Sequence, residues 1–175
     1  MSKINSTLFN ISKHNDSNEW YTLPALVEVV QPFIKPNQVI WCPFDTSESA
    51  FVKVLSKTNQ VIYSHIKTGQ DFFSYEPTTH YDVIVSNPPF SKRTDVYKRL
   101  YELGKPWAMV ANYTGLFDAK CRWDLFAKNN IQLLIPKGRA QFIRGEDGKV
   151  GKAAYQSIYV CSNMLPKQIV FSGSV

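Results

Sequence analysis

The sequence has few cysteines and no long apolar run, and both shortages exclude whole classes of protein. Its 175 residues include only Cys42, Cys121 and Cys161, which are widely spaced and form no Cys-x-x-Cys pair. This pattern indicates neither a disulfide framework nor a zinc site. No apolar stretch approaches the roughly 18 residues needed to cross a bilayer, and residues 1–19 lack an apolar signal core. We therefore predict an intracellular protein without a membrane partner.

Acidic residues are also in the minority. Asp and Glu number 14 against 20 Lys and Arg, which gives a net charge of +6. This excess favours an anionic partner, nucleic acid first, and a solubilising surface charge is the alternative. The length predicts a single domain. We place it at residues 20–175, after a polar N-terminal arm at residues 1–19, with no separate target-recognition domain.

Predicted strands and helices alternate along most of the chain. A short buried strand is predicted at Gln38–Trp41, and further strands at Val61–Ile66, Asp82–Ser86, Trp107–Ala111 and Ile131–Ile135. Asp45 and Glu48 have the spacing of a capping box and predict a helix from Ser47 to Lys57. The end of the chain is strand-rich, at Tyr155–Cys161 and Gln168–Phe171. We therefore predict an α/β, doubly wound Rossmann-like sheet, mostly parallel, with an antiparallel C-terminal edge.

The tetrapeptide Asn87-Pro88-Pro89-Phe90 follows a predicted buried strand and precedes a predicted helix. In an open α/β sheet, this position faces the ligand. The lone pair of an aromatic amine is delocalised into the ring, and two acceptors aimed at its hydrogens help to free it. Asn87 can offer its side-chain oxygen and Pro88 its backbone carbonyl, while Phe90 can stack on the base. The alternative is a structural turn, because paired prolines often follow a strand.

With this motif, the sequence resembles the adenine-N6 DNA methyltransferases, in particular small phage-borne members of the Dam type, from about Trp20 to Phe171. The resemblance implies a methyltransferase fold, S-adenosylmethionine as cofactor, and a bacterial or phage-infected cytoplasm. It implies that Asn87, Pro88, Pro89 and Phe90 are catalytic. Tyr21 and Thr22 would lie near the methionine end of the cofactor. Asp71 would accept a hydrogen bond from the cofactor's adenine amine, and Phe72 would cover that ring.

The loop after the first predicted buried strand departs from the family. Pro43 and Phe44 fit its common Pro-Phe pair, but Thr46 and Glu48 stand where glycines usually do. Glycine serves there for its dihedral range and its missing Cβ. Asp45 could bind the cofactor's α-amino group and Ser47 its carboxylate. The alternative is that cofactor binding has been lost.

A second departure concerns the ribose. The family commonly ends its next strand with an acidic residue that holds the ribose hydroxyls, whereas this chain has Tyr63-Ser64-His65. His65 or Ser64 is the candidate substitute, and a structural histidine is the alternative.

Basic residues flank the candidate catalytic loop. We expect Lys92, Arg93, Arg139 and Arg144 to contact phosphates, which would supply affinity without reading sequence. Solvated surface charges are the alternative. Sequence preference would come from the loops Thr114–Arg122 and Arg139–Lys152, or from a protein partner or homodimer.

Three functions stay open from the sequence. The first is methylation of adenine N6 in DNA. The second keeps the chemistry and acts on RNA adenine or on a protein glutamine. The third is a catalytically degraded methyltransferase fold that serves as a binding protein, for example in phage counter-defence.

Overall fold

The structure is a computed structural model and describes residues 20–144, 147–153 and 155–174. The predicted arm at residues 1–19 lies outside this range, as do Gly145 and Glu146 of the later loop. Within the described ranges, no helix has both the length and the apolar character needed to cross a membrane.

Fourteen helices and strands make up the described fold, with short 3-10 turns at Gln31–Phe33, Ile66–Thr68 and Phe90–Lys92. In chain order they are β1 (Trp20–Thr22), α1 (Pro24–Val30), β2 (Val39–Cys42), α2 (Ala50–Leu55), β3 (Gln60–Tyr63), β4 (Val83–Ser86), α3 (Arg93–Leu103), β5 (Trp107–Asn112), α4 (Lys120–Lys128), β6 (Gln132–Lys137), β7 (Gln141–Arg144), β8 (Val150–Lys152), β9 (Ser157–Ser162) and β10 (Ile169–Ser174).

The main sheet has seven strands in the order β10-β6-β9-β5-β4-β2-β3. β9 runs antiparallel to β5 and β6, and the other neighbouring pairs are parallel. A second, small sheet has the order β1-β7-β8 and is antiparallel throughout. The predicted doubly wound, mostly parallel α/β fold is confirmed.

The antiparallel strand β9 lies two positions in from the edge of the sheet, whereas the sequence predicted it at the C-terminal edge. The β7–β8 hairpin leaves from the carboxyl end of β6 and returns the chain to that same edge, so β9 must run in the opposite direction. β9 inserts between β5 and β6. The chain then restarts from the amino edge, and β10 forms the outer strand parallel to β6.

Alternate residues of the strands point to two separate cores, one on each face of the sheet. Ile40 and Cys42 of β2 pack on the face that carries residues of α1 and α2. Trp41, between them, packs on the face that carries residues of α3 and α4. A strand covered on both faces reads in sequence as a continuous apolar run, which is why these segments were recognisable.

The helix predicted from Ser47 to Lys57 is shorter, and its predicted cap is wrong. α2 begins at Ala50 with Ser49 as the preceding N-cap residue, and no side chain caps it. Asp45 is instead hydrogen-bonded to Ser86 of β4. The carboxylate of Glu48 pairs with Lys53 Nζ at 2.8 Å. Tertiary contacts outweigh the local capping pattern because the segment must first bridge β2 to the helix layer.

Candidate active site

The candidate site lies where the strand order of the main sheet reverses. β2 pairs with β3 on one side and with β4 on the other. The chain therefore moves outward from β2 to β3 and then returns across β2 to β4. The loops after β2 and β4 diverge, and such a switch point opens a crevice beyond the carboxyl ends of the strands. It brings Asp45 and Asn87 to the same sheet edge.

Asp45 is a buried carboxylate in the loop after β2. Its side chain accepts a hydrogen bond from Ser86 Oγ, and its backbone N–H donates to the Ser64 carbonyl at 3.1 Å. The residue is 5% exposed. Burial raises the pKa of Asp45 to about 6, although hydrogen bonds from Ser86 and Ser49 act in the opposite direction. Within the described part of the chain, no Lys, Arg or His forms an ion pair with it.

An uncompensated buried carboxylate favours a ligand that brings its own positive charge. The α-ammonium group of an amino acid has that charge and three donors. The buried acceptor that Asp45 provides therefore fits the α-ammonium group at the methionine end of S-adenosylmethionine.

Asn87 stands at the mouth of the same crevice with one half of its amide free. Its Nδ2 donates to Thr22 Oγ1 at 3.1 Å. Its Oδ1 is buried and has no hydrogen-bond partner among the described residues. Buried polar atoms are nearly always paired, so an orphaned acceptor here points to a donor that arrives with the ligand.

The other residues of the candidate catalytic loop differ in their exposure to solvent. Pro88 is buried and Pro89 is exposed. Phe90 opens the 3-10 turn that precedes α3, and half of its side chain, 50%, is accessible. The loop thus carries a free acceptor and an exposed ring, two of the features predicted for recognition of an aromatic amine.

The glycine-poor loop after β2 has a shape that other residues can adopt. No residue from 43 to 49 has a positive φ angle. Thr46 N–H donates to Ser49 Oγ at 3.0 Å, and Ser49 N–H donates back to the Thr46 carbonyl at 3.0 Å. Ser47 is exposed. Thr46 and Glu48 therefore do not strain this turn.

The aromatic pair predicted to cover the cofactor's adenine is divided between core and surface. Phe72 is only 2% exposed, and its ring centroid lies 5.6 Å from that of Trp41 and 4.8 Å from that of Phe44. A ring so enclosed presents little area to a ligand, so Phe73 is the more accessible ring of the pair. Phe73 is half-buried, and Lys92 Nζ lies 5.2 Å from its ring.

Asp71 and His65 both make local hydrogen bonds. Asp71 Oδ1 accepts from the Phe73 N–H at 3.1 Å. His65 Nδ1 accepts from the Lys67 N–H at 3.1 Å and caps a 3-10 turn. Ser64 is buried and accepts from Trp41 Nε1 at 3.0 Å. Ser64 therefore holds the Trp41 ring through a buried hydrogen bond. Asp71 and His65 lie in the segment that follows β3.

Arg93, predicted to contact phosphate, holds a loop of its own chain. Its guanidinium donates to the Thr114 carbonyl at 3.3 Å and to the Gly115 carbonyl at 3.1 Å. Arg122, which the sequence analysis placed only at the end of a loop, is 4% exposed and donates to the same Gly115 carbonyl. The two arginines anchor the loop between β5 and α4, so Arg93 is a poor test of nucleic-acid binding.

The other basic residues predicted to contact phosphate differ in exposure and in ion pairing. Arg139 is exposed at the start of the β7–β8 hairpin. Arg144 Nη2 pairs with Asp147 at 3.1 Å. Lys92 is exposed and lies over Phe73. Arg139 and Lys92 are therefore the predicted contacts that remain accessible.

Sequence reasoning missed a group of exposed rings at the carboxyl edge of the sheet. Tyr113 is 56% exposed, Phe117 46% and Tyr155 54%. The Tyr113 N–H donates to the Gln156 carbonyl at 3.4 Å, which brings the segments of Tyr113 and Tyr155 together. Aromatic residues that follow a strand end, outside the helical and strand periodicity, were the available signal.

Comparison with known proteins supports the fold. No family model matches the chain, and no curated protein matches it. It is similar to the crystal structure of a modification subunit of a putative type I restriction enzyme from Vibrio vulnificus YJ016, with a TM-score of 0.57 and 10% identity. That match covers 91% of this chain but 48% of the other, so this chain spans about half of that neighbour's length.

Two more distant structures complete the comparison. One is the type I restriction-modification system methyltransferase subunit from Streptococcus thermophilus, with a TM-score of 0.45, 11% identity and coverage of 89% of this chain and 47% of that one. The other is precorrin-6y C5,15-methyltransferase from Geobacter metallireducens GS-15, with a TM-score of 0.46 and 9% identity. That match covers 87% of this chain and 96% of the other. The chain has an α/β Rossmann-like fold.

Proposed function

We propose that this protein transfers a methyl group from S-adenosylmethionine to the N6 amine of adenine in DNA. One observation carries the proposal: the unpaired, buried Oδ1 of Asn87 at the end of β4, beside the buried carboxylate of Asp45. An acceptor for an amine thus adjoins a carboxylate suited to an amino acid. The fold shared with a modification subunit is consistent with this chemistry.

We assign the cofactor to the loops that follow β2 and β3. Asp45 would pair with the α-ammonium group and Ser47 with the carboxylate, beside Pro43, Phe44 and Tyr21. Asp71 would accept from the adenine amine, with Phe73 rather than Phe72 against the ring, and His65 would reach the ribose. Bound there, S-adenosylmethionine supplies an electrophilic methyl group on a sulfonium centre.

The chain's own part in the reaction is to prepare the amine. Asn87 Oδ1 and the Pro88 carbonyl would each accept one of its hydrogens. These two bonds draw the nitrogen toward tetrahedral geometry and free its lone pair, so no strong base is needed before attack. Phe90 would stack on the target base.

Two surface features favour nucleic acid as the substrate. Lys92 and Arg139 are exposed basic side chains on the loops at the site edge. Phe90, Tyr113 and Tyr155 add exposed rings at that edge. Bases stack on such rings without sequence preference, and a base must leave the duplex before its amine can be reached.

The dependence of DNA affinity on salt tests this substrate class. Affinity of the wild type for DNA should fall steeply with salt, because bound phosphates release counterions. Arg139→Glu should weaken binding and lower the slope of log K against log salt by about one unit. The measurement is filter binding to DNA and RNA at several salt concentrations.

Lys35→Glu is the matched control, because Lys35 is exposed and precedes β2 at the amino edge of the sheet. It makes the same change in net charge away from the site. Equal losses of DNA affinity in the two variants would mean that overall charge, and not a contact of Arg139 with phosphate, causes the effect. A shallow salt dependence of the wild type would instead favour a protein substrate.

A thermal-shift series tests the cofactor site. S-adenosylmethionine should raise the melting temperature by mass action on the folded state. Asp71→Ala should weaken cofactor binding by about 1–3 kcal/mol, because the adenine amine loses its acceptor. Asp95→Ala, an exposed carboxylate on α3, is the control and should bind as the wild type does.

The decisive assay is transfer from labelled S-adenosylmethionine to unmethylated DNA, RNA and protein, followed by mapping of the methylated base. Label in N6-methyladenine of DNA is the expected result. No thermal shift at millimolar cofactor, together with no transfer, would favour a binding protein without catalysis.

A further inference from the structure

The hydroxyl of Thr22 is hydrogen-bonded to the candidate catalytic amide of Asn87. Thr22 Oγ1 accepts from Asn87 Nδ2 at 3.1 Å, across 65 residues of sequence. The opposite end of the amide, Oδ1, is buried and unpaired. One end of Asn87 is therefore held by the protein while the other is available.

The orientation of this amide decides whether it can activate an amine. With Oδ1 forward, Asn87 accepts a hydrogen from the amine while Nδ2 donates to Thr22, and both ends are satisfied. Turned by 180°, the amide would present its own N–H groups to the amine's hydrogens, and donor would face donor. The Thr22 hydroxyl can donate as well as accept, so the hydrogens of the amine favour the orientation with Oδ1 forward, while the bond to Thr22 fixes where the amide lies.

Thr22 is itself firmly placed. It ends β1 and pairs with Phe142 of β7, a residue that is 5% exposed. Directly after it the chain enters α1, where the Leu26 carbonyl accepts from the Tyr159 hydroxyl at 2.9 Å. The small sheet on one side and the buried helix on the other fix the position of the hydroxyl.

We propose that Thr22 is a positioning residue that holds the Asn87 side chain in place, so that its free amide oxygen can face the target amine. This inference rests on the proposed amine methylation. It gives Thr22 a different partner from the cofactor that the family resemblance implied. A residue that acts through Asn87 must lose its effect when Asn87 is removed, and this requirement makes the proposal testable.

The activity arm compares Thr22→Val with Thr22→Ser. Valine keeps the shape but cannot accept a hydrogen bond, so kcat should fall about tenfold to a hundredfold through lost orientation, with cofactor affinity unchanged. Serine keeps the hydroxyl and should retain most of the activity. In an Asn87→Ala background, Thr22→Val should cause no further loss.

The second arm needs no activity. In the ligand-free protein, Thr22→Val should lower the melting temperature by roughly 3–8 °C, because Asn87 Nδ2 loses its acceptor. Thr22→Ser should lower it less. In the Asn87→Ala background, the same change to valine should have little effect, so the two substitutions should be strongly non-additive.

The outcomes separate this inference from the proposed function. If the wild type transfers no methyl group to any substrate, the proposed function fails, and the melting cycle still decides whether Thr22 holds Asn87. An active wild type with additive effects in either cycle overturns the positioning role. A Thr22→Ser variant as impaired as Thr22→Val also overturns it, since the methyl group and not the hydroxyl would then be needed.

Discussion

Asn87→Ala should reduce methyl transfer to DNA at least about a hundredfold, the scale seen when one preorganised polar group is lost from a transition state. The substitution removes the unpaired Oδ1 that we assign to the target amine. It leaves Asp45 and the loop after β2 in place, so cofactor affinity should change little. The measurement is initial rate with labelled cofactor, with cofactor binding measured by calorimetry on the same preparation.

Asn130→Ala is a suitable control for this experiment. Asn130 is exposed and precedes β6 at the amino edge of the sheet, opposite the candidate site. It should keep full activity. Near-normal activity of Asn87→Ala would make the Asn-Pro-Pro-Phe loop a structural turn and would remove the basis of the proposed function.

Asp45→Asn should have opposite effects on binding and on stability. Loss of the carboxylate that pairs with the α-ammonium group should weaken cofactor binding by about 2–5 kcal/mol, the range for truncating one partner of a buried charge pair. The free protein should become more stable at neutral pH, because a buried charge without a cation is removed. A substitution that merely damages the fold would lower both the cofactor affinity and the stability of the free protein.

The stability effect has a defined pH dependence. The pKa of Asp45 is about 6 in the folded protein, against an ordinary value of 3.8. Since the folded pKa is the higher one, the folded state binds more protons between these values. The free energy of unfolding therefore falls as pH rises from about 4 to about 6. Above that interval the charged carboxylate costs about 3 kcal/mol relative to an unshifted group.

Melting curves at several pH values check this prediction. Asp45→Asn should exceed the wild type by roughly 6–12 °C at pH 7.5 and by little at pH 4. Asp95→Asn, at an exposed position on α3, should follow the wild type throughout. A constant difference between Asp45→Asn and wild type at all pH values would mean that Asp45 does not titrate in this range. Unchanged cofactor affinity would remove it from the binding site.

The sequence predicted much of the sheet because its strands are covered on both faces. Val83, Ile84 and Val85 form an apolar run that ends at Ser86 and Asn87, and the structure has β4 there. Helix α2 was predicted too long because its start depends on where the Asp45 carboxylate goes. The capping pattern is local, whereas the bond to Ser86 joins positions 41 residues apart.

In the candidate site, too, local sequence predicted some residues and tertiary contacts decided the place of others. Asn87 was predicted from its residue type and its place after a strand, and Asp45 from the loop that departs from the family pattern. Phe72 was predicted to cover the cofactor's adenine, and the structure buries it in the core beside the less buried Phe73, because two adjacent phenylalanines look alike until packing separates them. Arg93 was assigned to phosphate and holds Gly115, a partner 22 residues away.

The sequence by itself determined the alternation of strands and helices, the Asn-Pro-Pro-Phe loop at a strand end, and the excess of basic charge. These properties are carried by residue type and by spacing within one segment. The tertiary structure alone decided that β9 inserts between β5 and β6, that Ser86 bonds to Asp45, and that Thr22 holds the Asn87 amide. Each of these contacts joins segments distant in sequence, and only the closing of the sheet brings them within hydrogen-bonding distance.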